Sequence, residues 1–505
     1  MKKFTVALLA VIVSIGVVAT SFAAETTFSG AYRVRAWTEW NFDKEVEDFG
    51  VVPSHEDGLY TGFIDQRFRL TITHTRSEYL KAVVRIDIAE DTWGTGSALR
   101  INDSNADYID HAYLEFTVPP VGTFTVGRFP ESYGYGTVFS NDGWDGARWA
   151  NAWGPVAVSL SYFKVADNVT AGSADEAYNW DADLVAMNLG ISPIEGHLLE
   201  VFGGVLWDDD ASGDGGVWGV LGNSATWTAA GFNNPGYYDA VVGFVGVAYT
   251  GNIMDMIDIA AEASWIIGSA DSHWYRGGLV ADPYAAALGP NAAPRSLDIS
   301  GWNIYADVSY YNDLFRVGAA FIMGSGQEHD WNDVSWEHVN MNFISVDAFE
   351  FGRIIAGSAG GNQSIWGDPW SANNLENITA IKGYFEVCPM DKLTVSGAVI
   401  WAKWTEDIGQ NNATRAALFA PDSPGYPHPV AWYSGNYTYN SWEVSNDLGW
   451  EIDLSVSYEI MEGLTYSLAG GVLFTGDSWD YEKADGTRGD WGEIWSIVNT
   501  LEYEF

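Results

Sequence analysis

The last eleven residues, Trp495-Ser-Ile-Val-Asn-Thr-Leu-Glu-Tyr-Glu-Phe505, carry the pattern that decides the fold. Trp495, Ile497, Leu501, Tyr503 and Phe505 share one parity, and Ser496, Val498, Thr500, Glu502 and Glu504 share the other. Asn499 is the single polar residue on the apolar side. Successive side chains of an extended strand point to opposite faces, so this is a strand with one face for lipid and one for water. An amphipathic helix would repeat near 3.6 residues instead.

The same alternation recurs upstream. Phe68, Leu70 and Ile72 alternate with Arg67, Arg69, Thr71 and Thr73. Ala82, Val84, Ile86 and Ile88 alternate with Lys81, Val83, Arg85 and Asp87, and Ala112, Leu114, Phe116 and Val118 with His111, Tyr113, Glu115 and Thr117. Ile452, Leu454, Val456 and Tyr458 alternate with Glu451, Asp453, Ser455 and Ser457. Eight tight turns rich in Pro, Gly, Asn and Asp punctuate the strands: 76–79, 119–122, 153–155, 193–197, 251–255, 312–313, 389–392 and 461–463. Nine longer connections lie near 41–60, 91–107, 130–145, 166–178, 208–238, 269–297, 326–375, 406–446 and 476–490. The count predicts an all-β chain: a transmembrane antiparallel β-barrel of about 18 strands, short turns at one end and long loops at the other. A propeller would show a fixed period of about 40–50 residues, which is not seen.

The start of the chain reads as a signal peptide, residues 1–23, followed by the barrel, 24–505. Met1-Lys2-Lys3 precedes an apolar run, Phe4–Ala19, and Thr20-Ser-Phe-Ala-Ala24; Ser21 and Ala23 fit the small-residue cleavage positions. The run is shorter than the roughly 20 residues of a spanning helix. No later stretch approaches one, and in lipid the alternative to helices is a closed barrel. With 67 acids against 24 bases the net charge is −43, which argues against a nucleic-acid partner. Acidic disordered chains lack aromatics. Here 25 Trp, 26 Tyr and 24 Phe are present, so the chain folds and can build interfacial girdles. Cys388 is the only cysteine, which leaves no intramolecular disulfide.

Half of the 24 bases fall between residues 24 and 165. Arg33, Arg35, Arg67, Arg69, Lys81 and Arg85 take the water-facing parity of the first three strands and form one patch on the inner wall. Two readings stand side by side. The patch can be an anion ladder lining a pore, since the arginine fork binds two oxygens of a carboxylate at once. It can instead brace the wall by pairing with inward acids such as Asp65, Asp87 and Glu115. The third long connection carries Glu131, Asp142 and Asp145 among glycines, with Arg148 just beyond; acids there would face the arginines across a constriction. Arg128 shares the parity of Phe124 and Val126 and is placed at a strand end. Asp208–Asp214 is ordered like the start of a calcium loop, but Gly219 stands where the bidentate Glu belongs. His329 and His338 lack zinc spacing. No metal, no cofactor and no catalytic set is expected.

Thr123-Phe-Thr-Val-Gly-Arg-Phe-Pro-Glu-Ser-Tyr-Gly-Tyr-Gly136 followed by Asp145-Gly-Ala-Arg-Trp149 resembles a strand–loop–strand of Gram-negative porins. The stretch 302–327, ending Gly324-Ser-Gly-Gln327, together with Gly449-Trp-Glu-Ile-Asp453 and Phe474-Thr-Gly-Asp477, is similar to later hairpins of porin-like and alginate-export-type barrels. Tyr503 and the terminal Phe505 resemble the sorting signal read by the barrel-assembly machinery. The resemblance implies an outer-membrane, multi-pass barrel with periplasmic turns and extracellular loops, its third loop often folded into the pore. It implies passive passage of small hydrophilic solutes, with outer-membrane lipid as surroundings and no enzyme activity. A selective channel for acidic sugars or organic anions, and a structural barrel sheathing a partner protein, are the alternatives. Monomer and homo-oligomer both fit the sequence.

Overall fold

A computed structural model describes residues 24–41, 60–93, 109–167, 181–208, 237–272, 296–325, 338–339, 350–355, 377–406, 445–479, 481–482, 488–490 and 492–505. The expected signal peptide and the loop Asp209–Asp214 lie outside the described residues, as does His329.

Among the described residues, eighteen strands form one closed antiparallel barrel. They are β1 (Glu25–Trp40), β2 (Tyr60–Ser77), β3 (Leu80–Thr92), β4 (Ile109–Val118), β5 (Gly122–Ser132), β6 (Ser140–Trp153), β7 (Val156–Asp167), β8 (Asp181–Ile191) and β9 (His197–Asp208). The second half holds β10 (Tyr237–Ile253), β11 (Ile257–Ser272), β12 (Ser296–Tyr311), β13 (Phe315–Gly324), β14 (Ile378–Met390), β15 (Leu393–Trp404), β16 (Asp447–Met461), β17 (Leu464–Thr475) and β18 (Glu493–Glu504). Each strand pairs with its sequence neighbours, and β18 returns to β1 in register from Ala31↔Glu504 to Trp40↔Trp495. Eight turns run from two residues (Glu78–Tyr79) to five (Ser192–Gly196), all at one end. The expected turn at 251–255 sits at Met254–Met256, because β10 continues to Ile253. Two-residue His338–Val339 adds a parallel patch beside β12.

The burial pattern inverts that of a water-soluble sheet. On β16 the apolar Trp450, Ile452, Leu454 and Tyr458 are exposed outward, while Glu451 has no exposure at all. On β18 Trp495, Ile497, Leu501 and Tyr503 are exposed, while Ser496 is fully buried. A face that is apolar where it is uncovered and polar where it is enclosed belongs to a barrel in lipid.

The seam depends on the last residue. Gly30 N donates to Phe505 O at 2.9 Å, and Phe505 N donates to Gly30 O at 3.0 Å. The Phe505 ring stacks on Phe68 (6.1 Å) and Tyr503 (5.8 Å). Deleting Phe505 is expected to lower the yield of heat-modifiable barrel, because it strips the seam of both bonds and the stack. Yield equal to that of the intact chain would show that the seam closes without it.

Candidate functional site: the inner wall and two inserted segments

The register of β1 to β4 places the six bases of the patch on the inner wall, and their partners decide between ladder and brace. Arg35 donates to Asp65 (2.9 Å), which also accepts from Trp37 Nε1 (2.7 Å). Arg69 pairs with Asp87 at 2.6 Å and reaches Asp110 at 3.4 Å. Arg85 bridges Asp110 (2.9 Å) and Asp142 (2.6 Å), and Lys81 pairs with Glu115 (2.9 Å). Four of the six bases therefore brace the wall, the three arginines through forked or bridging pairs and Lys81 through a single one, and Asp65, Asp87 and Glu115 are among the acids they use. Arg33 differs. It lies in register with Arg67 on one side and Glu502 on the other, forms no ion pair among the described residues, and leaves its buried Nε without a partner.

The third connection departs from the sequence expectation. Strands β5 and β6 run on to Ser132 and from Ser140, so the connection is only Tyr133–Phe139, and the expected acids stand on strands. Asp142 does not face the arginines across a gap; it is part of the same wall, bonded to Arg85 and close to His111 Nε2 (3.4 Å). Glu131 is buried and accepts from Ser161 Oγ at 2.7 Å. Asp145 takes the outward parity opposite Arg128, so it does not line the lumen. Arg148 points inward, donating to Thr125 Oγ1 (3.3 Å) with its guanidinium over Phe129. Tyr503 and Phe505 lie at the outer seam.

The tip of that connection crosses the barrel. Tyr135 N and Thr137 Oγ1 both donate to Glu262 on β11. Asn303 Nδ2 on β12 donates to Thr137 O at 3.1 Å. Phe139 stacks on Phe244 (5.4 Å), Tyr133 meets Phe202 (5.8 Å), and Tyr135 meets Tyr305 edge-on (5.1 Å). Gly134 adopts φ +57°, and a Cβ there would stand 2.5 Å from Glu262 Oε2, so the tip needs glycine to reach its anchor. The result is an apolar cluster on the β5–β12 side containing Phe129, Phe139, Phe163, Phe202 and Phe244.

A second segment, residues 350–355, is folded against the opposite arc. Phe351, Ile354 and Ile355 pack with Ile322, Ile400, Leu473 and Ile494. Lys382 Nζ donates to Phe351 O at 2.7 Å. Burial pulls the Arg353 guanidinium below its usual value, while Asp453, Glu350 and Glu451 pull it back up. Sequence reasoning missed this segment and its anchors. Glu262 and Glu451 are acids on the inward parity of their strands, where parity alone marks the face but not what they hold. Asp110 falls one residue before the alternating run that begins at His111.

No protein-family model and no curated protein matches the chain. Solved structures of similar outline exist. OccK5 (OpdH) of Pseudomonas aeruginosa is 10% identical, with 95% of this chain and 98% of that chain covered and a TM-score of 0.47. OccK9 (OpdG) of the same organism is 9% identical over 95% and 98%, with a TM-score of 0.49. OmpT, an outer membrane protein of Vibrio cholerae in trimer form, is 11% identical over 96% and 100%, with a TM-score of 0.37. At these values the functional reading rests on the barrel's own residues.

Asp87 is 8% exposed and Arg69 24%. A hydrogen bond to a charged group is worth about 1.5–3 kcal/mol. Asp87→Ala is expected to lower barrel stability by about that amount in a urea titration in detergent. An unchanged midpoint would mean that Asp110 and Asp142 hold Arg69 unaided.

Proposed function

We propose that this chain is a passive pore of an outer membrane, admitting small hydrophilic solutes, and not an enzyme. The observation that carries the reading is the uneven filling of the lumen. Among the described residues, both large apolar clusters are built from strands after β3 and from connections between them, while β1 and β2 contribute only Trp37 and Phe63 to a small cluster with Ala469 and Val498. The inner wall of β1 to β3 instead carries six bases with their acids, and Arg35, Arg69 and Lys81 keep 22%, 24% and 37% of their side-chain surface. Paired charges of this kind persist where water reaches them; in a filled interior each would be expensive to bury. An open, hydrated path along that wall accounts for both facts. Outer-membrane lipid then covers the exposed apolar face, and the barrel-assembly machinery reads Tyr503 and Phe505. A homo-oligomer is compatible with this face.

One feature favours anion selectivity within that pore. Most of the patch is occupied with bracing, so its arginines are not free to hold a solute carboxylate. Among the described residues Arg33 forms no ion pair, and its Nε lacks a partner. Acid-rich loops raise the cation concentration at the mouth, but charges beyond about 8 Å are screened at physiological salt. A charge on the wall acts at closer range. This supports the reading as a channel for acidic sugars or other organic anions, with Arg33 as the contact.

The test is a planar bilayer. The purified barrel is expected to give discrete ion currents, partly blocked by glucuronate, and Arg33→Gln to weaken that block while unit conductance stays near that of the unaltered chain. Absence of current would overturn the pore in favour of a structural sheath. Unchanged block in Arg33→Gln would remove Arg33 from the solute path.

A further inference from the structure

Glu451 has the least exposure of any carboxylate among the described residues, 0%. It stands on the inward side of β16, in register with Ile400 on β15 and Leu473 on β17, both also fully buried. An acid among such neighbours is costly unless its oxygens are satisfied. What satisfies it is backbone. Arg353 N and Ile354 N donate to Oε1, each at 2.7 Å, and Ile355 N donates to Oε2 at 2.6 Å. Arg353 N also reaches Asp453 Oδ2 at 3.2 Å. Three consecutive amides converging on one carboxylate make a nest for an anion, here supplied by the wall itself.

The segment so held has a shape. Gly352 N donates to Ile355 O at 3.0 Å, closing a turn, and the apolar side chains of Phe351, Ile354 and Ile355 sink into the cluster on either side. Arg353 is left between them. Its stem lies over Gly471 on β17, where a Cβ would stand 3.2 Å from Arg353 Cβ and 3.3 Å from Cδ. Its head forms no ion pair among the described residues, although Asp453 and Glu350 are near enough to act on it. The guanidinium of Arg35, on the braced wall, acts on it too. The segment thus sets a cation over β17, which is separated from the charged wall of β1 by β18 alone.

We propose that Glu451 is the latch that fixes residues 350–355 against the inner wall, and that Arg353, held by it, is a selectivity-determining charge of the lumen. Glu451 acts through the segment and is a positioning residue; Arg353 is the group that meets the permeating ion. The second half of the proposal rests on the pore reading. Without the latch, Ile354 N and Ile355 N lose their acceptor, Arg353 N keeps only its longer bond to Asp453, and the turn is left to Lys382 on Phe351 O and its apolar contacts, so the cation it carries loses its fixed place.

Two measurements on the full, folded barrel separate the parts. The first is trypsin cleavage after Arg353 in detergent, read by mass spectrometry, with the heat-modifiable band confirming that each variant is folded. The intact chain is expected to resist cleavage there, and Glu451→Gln to be cut, because an amide offers one acceptor oxygen and turns donors toward donors. Resistance in Glu451→Gln equal to that of the intact chain overturns the latch. The second is the reversal potential in a potassium chloride gradient across a planar bilayer. Arg353→Gln is expected to reduce the chloride-to-potassium permeability ratio by about twofold or more. Arg353→Lys is expected to restore the ratio, and Glu451→Gln to lower it while raising unit conductance. A ratio unchanged in Arg353→Gln overturns the role of Arg353. If the intact barrel carries no current, the pore reading falls and the charge assignment with it, while the trypsin result still decides the latch.

Discussion

Every peptide group of a chain in lipid must find its hydrogen-bond partner within the protein, and that constraint shapes the rest of this molecule. A sheet satisfies it only when it has no edge. The decisive contact is therefore the seam between β1 and β18, where the first and last strands pair over ten positions and Phe505 adds two more bonds to Gly30. Closure also fixes parity. Once each strand is held between two neighbours, a shift of one residue would turn the whole apolar set inward. The pairing of Tyr32 with both Phe68 and Tyr503 shows lipid-facing residues aligned across the seam as they are elsewhere in the wall.

Because of that coupling, the barrel was legible in the sequence. Strand number, turn positions and the face of each side chain follow from alternation of period two, which is local. The expected turn at 312–313 appears, and Asp181–Ile191 forms a strand although Gly190 interrupts its alternation, since its neighbours impose the register. What alternation does not encode is contact across the lumen. Nothing in the spacing of Thr137 and Glu262 shows that they meet, because they are brought together by a chain crossing the barrel. The same holds for Ile354 and Glu451. The choice between ladder and brace was open for a similar reason: parity puts Arg85 and Asp142 on one wall only when the register of β3, β4, β5 and β6 is known.

The two inserted segments share one chemical device. Each is pinned by an inward carboxylate that accepts backbone N–H, Glu262 from Tyr135 and Glu451 from Arg353, Ile354 and Ile355. A cation would serve as a partner too, but it would cancel the charge and leave the amides of the tight turn unpaired. A carboxylate on the wall does both tasks, since an irregular segment enclosed by protein must have its donors met. Apolar side chains around each anchor exclude competing water, which strengthens the bond in the low-dielectric surroundings.

This division of labour explains where the lumen can remain hydrated. Apolar packing and backbone caps stabilise the arcs from β5 to β18, where filling the interior brings Phe, Ile and Trp together. On β1 to β3 the inward positions hold Trp37, Phe63 and Val83 but also six Arg and Lys residues, which cannot be packed under a hydrophobic segment without losing their hydration. Their pairing with Asp65, Asp87, Asp110 and Glu115 holds the long side chains against the wall and keeps them from collapsing across the cavity. The charged wall is thus kept uncovered by its own composition, and its bracing gives it a fixed shape. A solute moving along it would meet a surface whose net charge is small, because most bases are matched by acids. On the pore reading proposed above, selectivity follows less from the number of arginines on the wall than from those, such as Arg33 and Arg353, that form no ion pair among the described residues.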